Sequence, residues 1–224
     1  MFPLSDSIKA KSFPFLNYLI IGVTIYVFIQ QLLAPDMEAF INQYALIPTS
    51  VNFGDYQTLL PFVSSIFLHG GILHILSNMW FLFVFGDNVN DRLSPIGFLL
   101  LYLTAGVIGG LAQYAFMTTE SIPMLGASGA VAGILGCYAV LFPHAKIKTL
   151  IFIVFFVTIV DVSALLMLGY WFILQLVSGA GSLTEMNTGE GGVAYIAHIA
   201  GFVVGLLWGF ANKNRGEEAG VVHE

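Results

Sequence analysis

Six long apolar runs succeed one another along the chain, at about 13–33, 72–85, 96–117, 126–142, 162–179 and 193–210, separated by polar segments marked with Pro, Gly, Asp and Asn. Runs of this length suit helices that cross a bilayer. Their unbroken apolar character excludes membrane β-strands, which alternate with period two. A seventh, shorter run at 150–160 precedes Asp161 and is expected to be an interfacial or re-entrant lead into the fifth helix. The pattern predicts an all-α polytopic membrane protein: a polar segment at 1–12, a six-helix membrane domain at 13–210 and a tail at 211–224. Its first outer loop, 35–71, carries enough apolar side chains to lie partly in the interface or to plug the bundle.

Composition agrees. Of 224 residues 58% are hydrophobic and 9% charged, and the mean hydropathy is +0.88, far from what a soluble surface needs. Charge then orients the spans. Lys9, Lys11, Arg92, Lys146, Lys148, Lys213 and Arg215 all fall in segments that six spans place on one side. The positive-inside rule assigns that side, and both termini, to the cytoplasm. Acidic Asp36, Glu38, Asp55, Glu120, Glu185 and Glu190 fall in the outer loops. No basic patch points to nucleic acid. The first span exceeds a signal-peptide core, and Ala34 is followed by Pro35 rather than by a small-x-small site, so it is expected to remain as an anchor.

The polar residues inside the spans are few. LGASGAVAGILG at 125–136 places Ser128 between Gly126 and Gly129 at the head of the fourth span, where unpaired N–H groups and the positive end of the helix dipole favour an anion. In the second span His74 and Asn78 stand at i,i+4 on one face, roughly 3–9 Å below the outer end at 1.5 Å per residue. His198 lies near the outer end of the sixth span, with Gly201 and Gly205 on or near its face. The fifth span holds Tyr170, Trp171 and Gln175 and, beyond Gly169, no glycine, so it is the helix most easily displaced. Each motif alone also suits plain packing: His and Asn as interhelical hydrogen-bonding groups, and the glycines as a close-contact stripe in which Ser128 is merely small. Together they share one depth, which scattered packing groups have no reason to do. Ser128 as nucleophile and His198 as general base form a dyad, since no carboxylate lies near His198 at that depth. The Ser128 backbone N–H, His74 and Asn78 can meet the oxyanion.

The motifs GASG, HGGILHILSN and AHIAGFVVG, with FGDNVNDRL at 85–93, resemble those of the rhomboid family of intramembrane serine proteases, in the family's order and over nearly the whole chain. The resemblance implies a six-helix rhomboid-like bundle whose Ser128 attacks a peptide bond in or beside a transmembrane segment of a substrate protein. His198 is its base, and His74 and Asn78 stabilise the oxyanion. Gly126, Gly129, Gly201, Gly205 and His69 support these motifs. Neither metal nor cofactor is implied; the partners are membrane-protein substrates and the lipid bilayer, and the expected location is a bacterial inner membrane. Two departures stand out: Leu60–Pro61 where many members have Trp-Arg, and Ala132 where some have a Tyr packed on the catalytic His. Other aromatic residues are therefore expected to orient His198. Ser64, Ser65 and Ser77 are candidates for a wet path, and His69 for bracing the first outer loop. Two other classes compete: a non-catalytic rhomboid-like factor that binds membrane proteins, and a channel or metal transporter using His69, His74 and His198.

Overall fold

A computed structural model of the chain describes residues 1–153, 156–185 and 194–214. Expectations that fall on Glu190, Val193, Arg215 and the rest of the tail lie outside the described residues.

Strand β1 (Phe2–Asp6) is followed by α1 (Phe15–Leu33), α2 (Met37–Tyr44), α3 (Pro61–Ser64), α4 (Ile72–Leu93), α5 (Pro95–Phe116), α6 (Ser128–Leu141), strands β2 (Lys146–Ile153) and β3 (Phe156–Ser163), α7 (Ala164–Glu185) and α8 (Tyr195–Asn212). Helices α1, α4, α5 and α8 are long and apolar enough to cross a membrane; α6 and the 164–178 part of α7 are shorter apolar helices. Span two continues to Leu93, eight residues past its expected end, because Asn88, Asn90 and Asp91 find partners on the N-terminal segment. The Asn88 amide donates to Asp6, the Asn17 N–H donates to Asn90, and the Lys11 and Ser12 N–H groups donate to Asp91. Ser94 then joins α4 to α5 alone. It adopts φ 70°, its hydroxyl accepts from Gly97 N–H, and Pro95 takes the first helical position, where its missing N–H costs nothing.

At the centre stands α6, whose residues Gly129 to Val140 are all buried. It meets α8 backbone to backbone. A Cβ on Gly201 would strike the Gly129 carbonyl, one on Gly205 the Gly133 carbonyl, and one on Gly136 the Phe202 carbonyl. Without apolar drive between helices in lipid, such close approach is what holds them together. By contrast α7 exposes Leu165, Leu166, Ile173, Leu174, Leu176 and Val177 while burying Ala164, Met167 and Leu168, and its Phe172 stacks on Phe202 (centroids 4.5 Å apart).

The run at 150–160, expected to be an interfacial or re-entrant lead into the fifth helix, takes strand form at 150–153 and 156–160: β2 and β3 pair antiparallel from Lys146↔Ser163 to Ile153↔Phe156, and α7 starts at Ala164 rather than Val162. The N-terminal segment supplies the third strand, β1 pairing antiparallel with β2 from Phe2↔Leu150 to Asp6↔Ile147. A two-stranded hairpin alone is marginal; the third strand, with buried Ile147 and Thr149, completes it. Trp80 Nε1–H donates to the Pro3 carbonyl (2.7 Å) and stacks on Phe2, tying this sheet to α4. Arg92 donates to the Lys213 carbonyl (2.6 Å), so basic segments distant in sequence share one end of the bundle.

The first outer loop is ordered by both backbone and side chains. Leu46 and Met124 exchange N–H···O bonds of 3.0 and 2.8 Å, and Leu46, Phe62, Ile66 and Leu68 are buried, while Phe53, Tyr56 and Leu60 are exposed.

Two outcomes follow from this packing. Gly205→Leu places side-chain atoms where the Gly133 backbone stands and is expected to lower the thermal midpoint by the equivalent of about 3 kcal/mol or more. Gly22→Ala, with nothing within 4 Å, is expected to leave it unchanged. At the sheet end, the Tyr138 hydroxyl and the Asn88 amide both donate to half-buried Asp6, yet burial, the larger effect, raises its carboxyl pKa above 3.8. The folded state thus holds that proton more tightly than the unfolded chain. Its contribution is fully present below the unfolded pKa and is lost as pH rises through the raised value. Melting curves of wild type and Asp6→Asn are therefore expected to diverge as pH rises above about 4, wild type falling relative to the variant.

Candidate active site

Gly126 turns the chain into α6 with φ 130°, a conformation open to glycine and strained for other residues. Its N–H donates to the Ser65 carbonyl (2.9 Å), which fixes where α6 begins. No side chain caps α6, so the amides of its first turn, beginning with Ser128, have no helical partner. Half-buried Ser128 and Gly129 line a cavity of about 40 Å³ shared with Ser65, Gln113, Ala194 and Ala197, larger than the ~10–15 Å³ that one water needs. Of the three serines expected on a wet path, Ser65 lines this cavity. Ser64 instead donates to the Tyr44 carbonyl and Ser77 to the His74 carbonyl.

His198 lies in the first turn of α8 and is 8% exposed. The α6–α8 seam brings it toward Ser128: a Cβ on Gly129, next to Ser128, would touch the carbonyl of Ala197, next to His198, at 3.4 Å. Across from this seam, the Ala197 N–H donates to Gln113 Oε1 of α5 (3.3 Å), and Gly109 leaves room for the Ala197 carbonyl. Among the described residues no hydrogen bond joins Ser128 to His198.

The His198 ring is held chiefly from α7. Its Nδ1 lies 2.8 Å from Gln175 Oε1, and Trp171 (6.1 Å between centroids) and Tyr195 (6.2 Å) pack against it. Aromatic residues do flank the imidazole, as expected, but its hydrogen bond comes from an amide to which the sequence reading gave no role. Gln175 carried one usable signal: it is the single amide in an otherwise apolar stretch of α7.

His74 faces the start of α6 from the other side. A Cβ on Gly126 would fall 2.7 Å from its Cε1 and 2.8 Å from its Nε2, so that edge of the ring is turned toward the loop that presents Ser128. The Gly70 N–H donates to His74 Nδ1 (3.4 Å). A nitrogen that accepts carries no proton, so the neutral ring is protonated at Nε2, the atom turned toward Gly126. Behind it stand His69, edge-on at 5.0 Å, and Asn78, whose amide nitrogen lies 3.1 Å from His69 Nε2. Asn78 is 6% exposed and keeps one amide hydrogen beyond this bond. His69 is also clamped through its backbone, its carbonyl accepting from Gln31 Nε2 (2.7 Å) and its N–H donating to Gln31 Oε1 (3.3 Å). Burial, and then the neighbouring His74, push the His69 pKa down to about 4, so it is neutral at physiological pH. His69, His74 and Asn78 thus form one linked group beside Gly126, with His198 across the seam. Among the described residues no three His, Cys, Asp or Glu side chains group as a metal site.

Gly126→Ala tests this arrangement without reference to activity. It combines an unfavourable φ with a Cβ inside the His74 ring, and a loss of about 1–3 kcal/mol is expected from the backbone alone. Gly70→Ala, whose Cβ meets His74 at an ordinary 3.7 Å, is the matched control. Equal thermal midpoints for the two variants would contradict the placement of His74.

Known proteins are similar to this chain over much of its length. The rhomboid domain family matches residues 56–215. Rhomboid protein 1, mitochondrial, of Saccharomyces cerevisiae is 32% identical over 201 residues, 87% of this chain and 52% of the relative. Presenilin-associated rhomboid-like protein A, mitochondrial, of Danio rerio is 33% identical over 115 residues, 50% of this chain and 29% of the relative. The rhomboid protease GlpG of Haemophilus influenzae is 29% identical over 152 residues, 68% of this chain and 69% of the relative. This chain therefore spans about half the yeast relative's length and less than a third of the zebrafish one's. With the family matched over most of its length, and with its membrane helices packed around a buried α6, the chain belongs to the rhomboid family.

Proposed function

We propose that this protein is an intramembrane serine endopeptidase that cuts peptide bonds in or next to transmembrane segments of other membrane proteins. The observation that carries this reading is the seam between α6 and α8, which brings the helix-opening Ser128 and His198 to two sides of one backbone contact, beside a cavity able to hold water. Ser128 Oγ attacks the substrate carbonyl carbon while His198 accepts its proton. The tetrahedral oxyanion meets the Ser128 N–H at the positive end of α6. His74, protonated at Nε2, supplies a second donor, and Asn78 a third through its remaining hydrogen. His198 then returns the proton to the leaving amine, and water from the cavity hydrolyses the acyl-enzyme by the same relay.

Family membership supports this reading, and one of the relatives is itself called a rhomboid protease. The chain is a multi-pass membrane protein. We read all six of α1, α4, α5, α6, α7 and α8 as spans, with the basic end and both termini in the cytoplasm. Two of the three relatives named above are mitochondrial, so the bacterial inner membrane expected from the sequence has no support from them.

Co-expression with single-span membrane proteins tests the proposal. Ser128→Ala is expected to lower cleavage about 10³-fold or more with the thermal midpoint unchanged, and a fluorophosphonate probe is expected to label wild type but neither Ser128→Ala nor His198→Ala. Cleavage by purified Ser128→Ala at the wild-type rate would remove the nucleophile. Tight binding of single-span proteins without cleavage or labelling would favour a non-catalytic binding factor.

A further inference from the structure

Among the described residues no carboxylate is bonded to His198, and the ring nitrogen that carries its proton is set by the acceptor that is there. A general base works only if the nitrogen facing the nucleophile is unprotonated, and a neutral imidazole has one bare nitrogen and one N–H. Gln175 supplies what is missing. Its amide is engaged at both ends: Nε2 donates to the Trp171 carbonyl one turn back in α7 (3.4 Å), and Oε1 faces His198 Nδ1 at 2.8 Å. The backbone bond sets the flip of the amide, because a carbonyl can only accept. The oxygen is thereby left toward the imidazole, and an amide oxygen can only accept in its turn. His198 Nδ1 must then be the N–H, and Nε2 the bare nitrogen.

We propose that Gln175 is a positioning residue for the base: it holds His198 in the tautomer protonated at Nδ1, taking through a neutral amide the place that a carboxylate occupies in a Ser-His-Asp triad. The inference rests on the protease reading for its catalytic consequence, but the hydrogen bond itself does not. Trp171, from the same helix, packs against the ring and restricts its rotation, so α7 supplies both the acceptor and a wall. The two imidazoles of the site are thereby set in opposite senses, His74 protonated at Nε2 by its bond from Gly70, and His198 bare at Nε2 by its bond to Gln175. The titratable side chains that face His198 among the described residues are Tyr195, which packs on its ring, and His74 across the site. A neutral amide is chemically apt there: it selects the tautomer without the lasting negative charge that a carboxylate would bury in the membrane.

The experiment has two arms on full-length, detergent-solubilised protein. In the first, ¹⁵N chemical shifts of His198 in selectively ¹⁵N-histidine-labelled protein, assigned with His198→Gln, read the protonation of each ring nitrogen whether or not the protein cleaves anything. Wild type is expected to show a protonated Nδ1 and a bare Nε2, and Gln175→Leu a mixture of both tautomers. A His198 protonated at Nε2 in wild type, or shifts unchanged by Gln175→Leu, would overturn the proposal even if Ser128 proves to be the nucleophile. In the second arm, Gln175→Leu is expected to lower kcat for a single-span substrate about 10- to 100-fold, part of the 10²–10⁴ that general acid–base catalysis contributes, with KM within about twofold. Gln175→Glu keeps the acceptor and adds a charge. It is expected to retain the wild-type tautomer and to move the acid limb of the kcat profile up by about one pH unit or more, because the carboxylate favours the imidazolium. A Gln175→Glu profile superimposable on that of wild type would likewise overturn the assignment. If Gln175→Leu does not fold, the wild-type shifts and the Gln175→Glu profile still decide. If wild type cleaves no substrate while its shifts show the expected tautomer, the protease reading fails and the hydrogen bond stands.

Discussion

The rest of the molecule depends on the direct contact of two backbones. Helices α6 and α8 lie so close that single Cβ atoms at Gly201 or Gly205 would occupy the space of carbonyl oxygens on the facing helix. Lipid offers no hydrophobic drive to press helices together, so close dispersion contact and interhelical hydrogen bonding must do so. One consequence is structural: α6, short and buried from Gly129 to Val140, becomes the axis about which the longer helices stand. The other is chemical. A seam this tight sets the two residues at one end of it, Ser128 and His198, relative to each other with little freedom.

Around that rigid pair the site is built from parts of unequal firmness. The side bearing His74 is braced by a linked set in which Gln31 clamps the His69 backbone, His69 meets Asn78 and His74, and Gly126 admits the His74 ring. The opposite side rests on α7, whose first turns are seated in the core by Ala164, Met167 and Leu168 and whose later part is joined to α8 by aromatic contacts and one amide while its other face is exposed. Under the proposed protease reading, the half of the site braced by Gln31 and His69 carries the nucleophile and its donors, and the half resting on α7 carries Gln175, the residue proposed to set the proton on His198.

The β-sheet follows a different logic. The 150–160 run is rich in β-branched and aromatic residues, which favour strands, but in so apolar a chain the same composition suits a membrane-associated segment. Nothing local distinguishes the two. What decided it was partnership: β1, a segment with no strong preference of its own, pairs with the open edge of β2 and is tied by Trp80 to α4. Asp6 then reaches Asn88 and Tyr138, and α4 extends well past the end of its apolar run.

Much was legible along the chain because lipid makes the rules strict. Unsatisfied backbone is so costly in hydrocarbon that long apolar runs must be helices, and a lone Ser, His or Asn inside them stands out at once. The same reasoning singled out Ser128, His74, Asn78 and His198 along their helices, and the glycines of α6 and α8 as a contact stripe. Tertiary structure alone decided which hydrogen bonds those residues make. Gln175, one amide in an apolar helix, meets His198 only because α7 seats against α8. Asn78 engages His69 because the loop before α4 folds back onto α1. Depth is a property of position along a single helix, and so it is written locally; a hydrogen-bond partner is a property of two helices at once, and it exists only after they have packed.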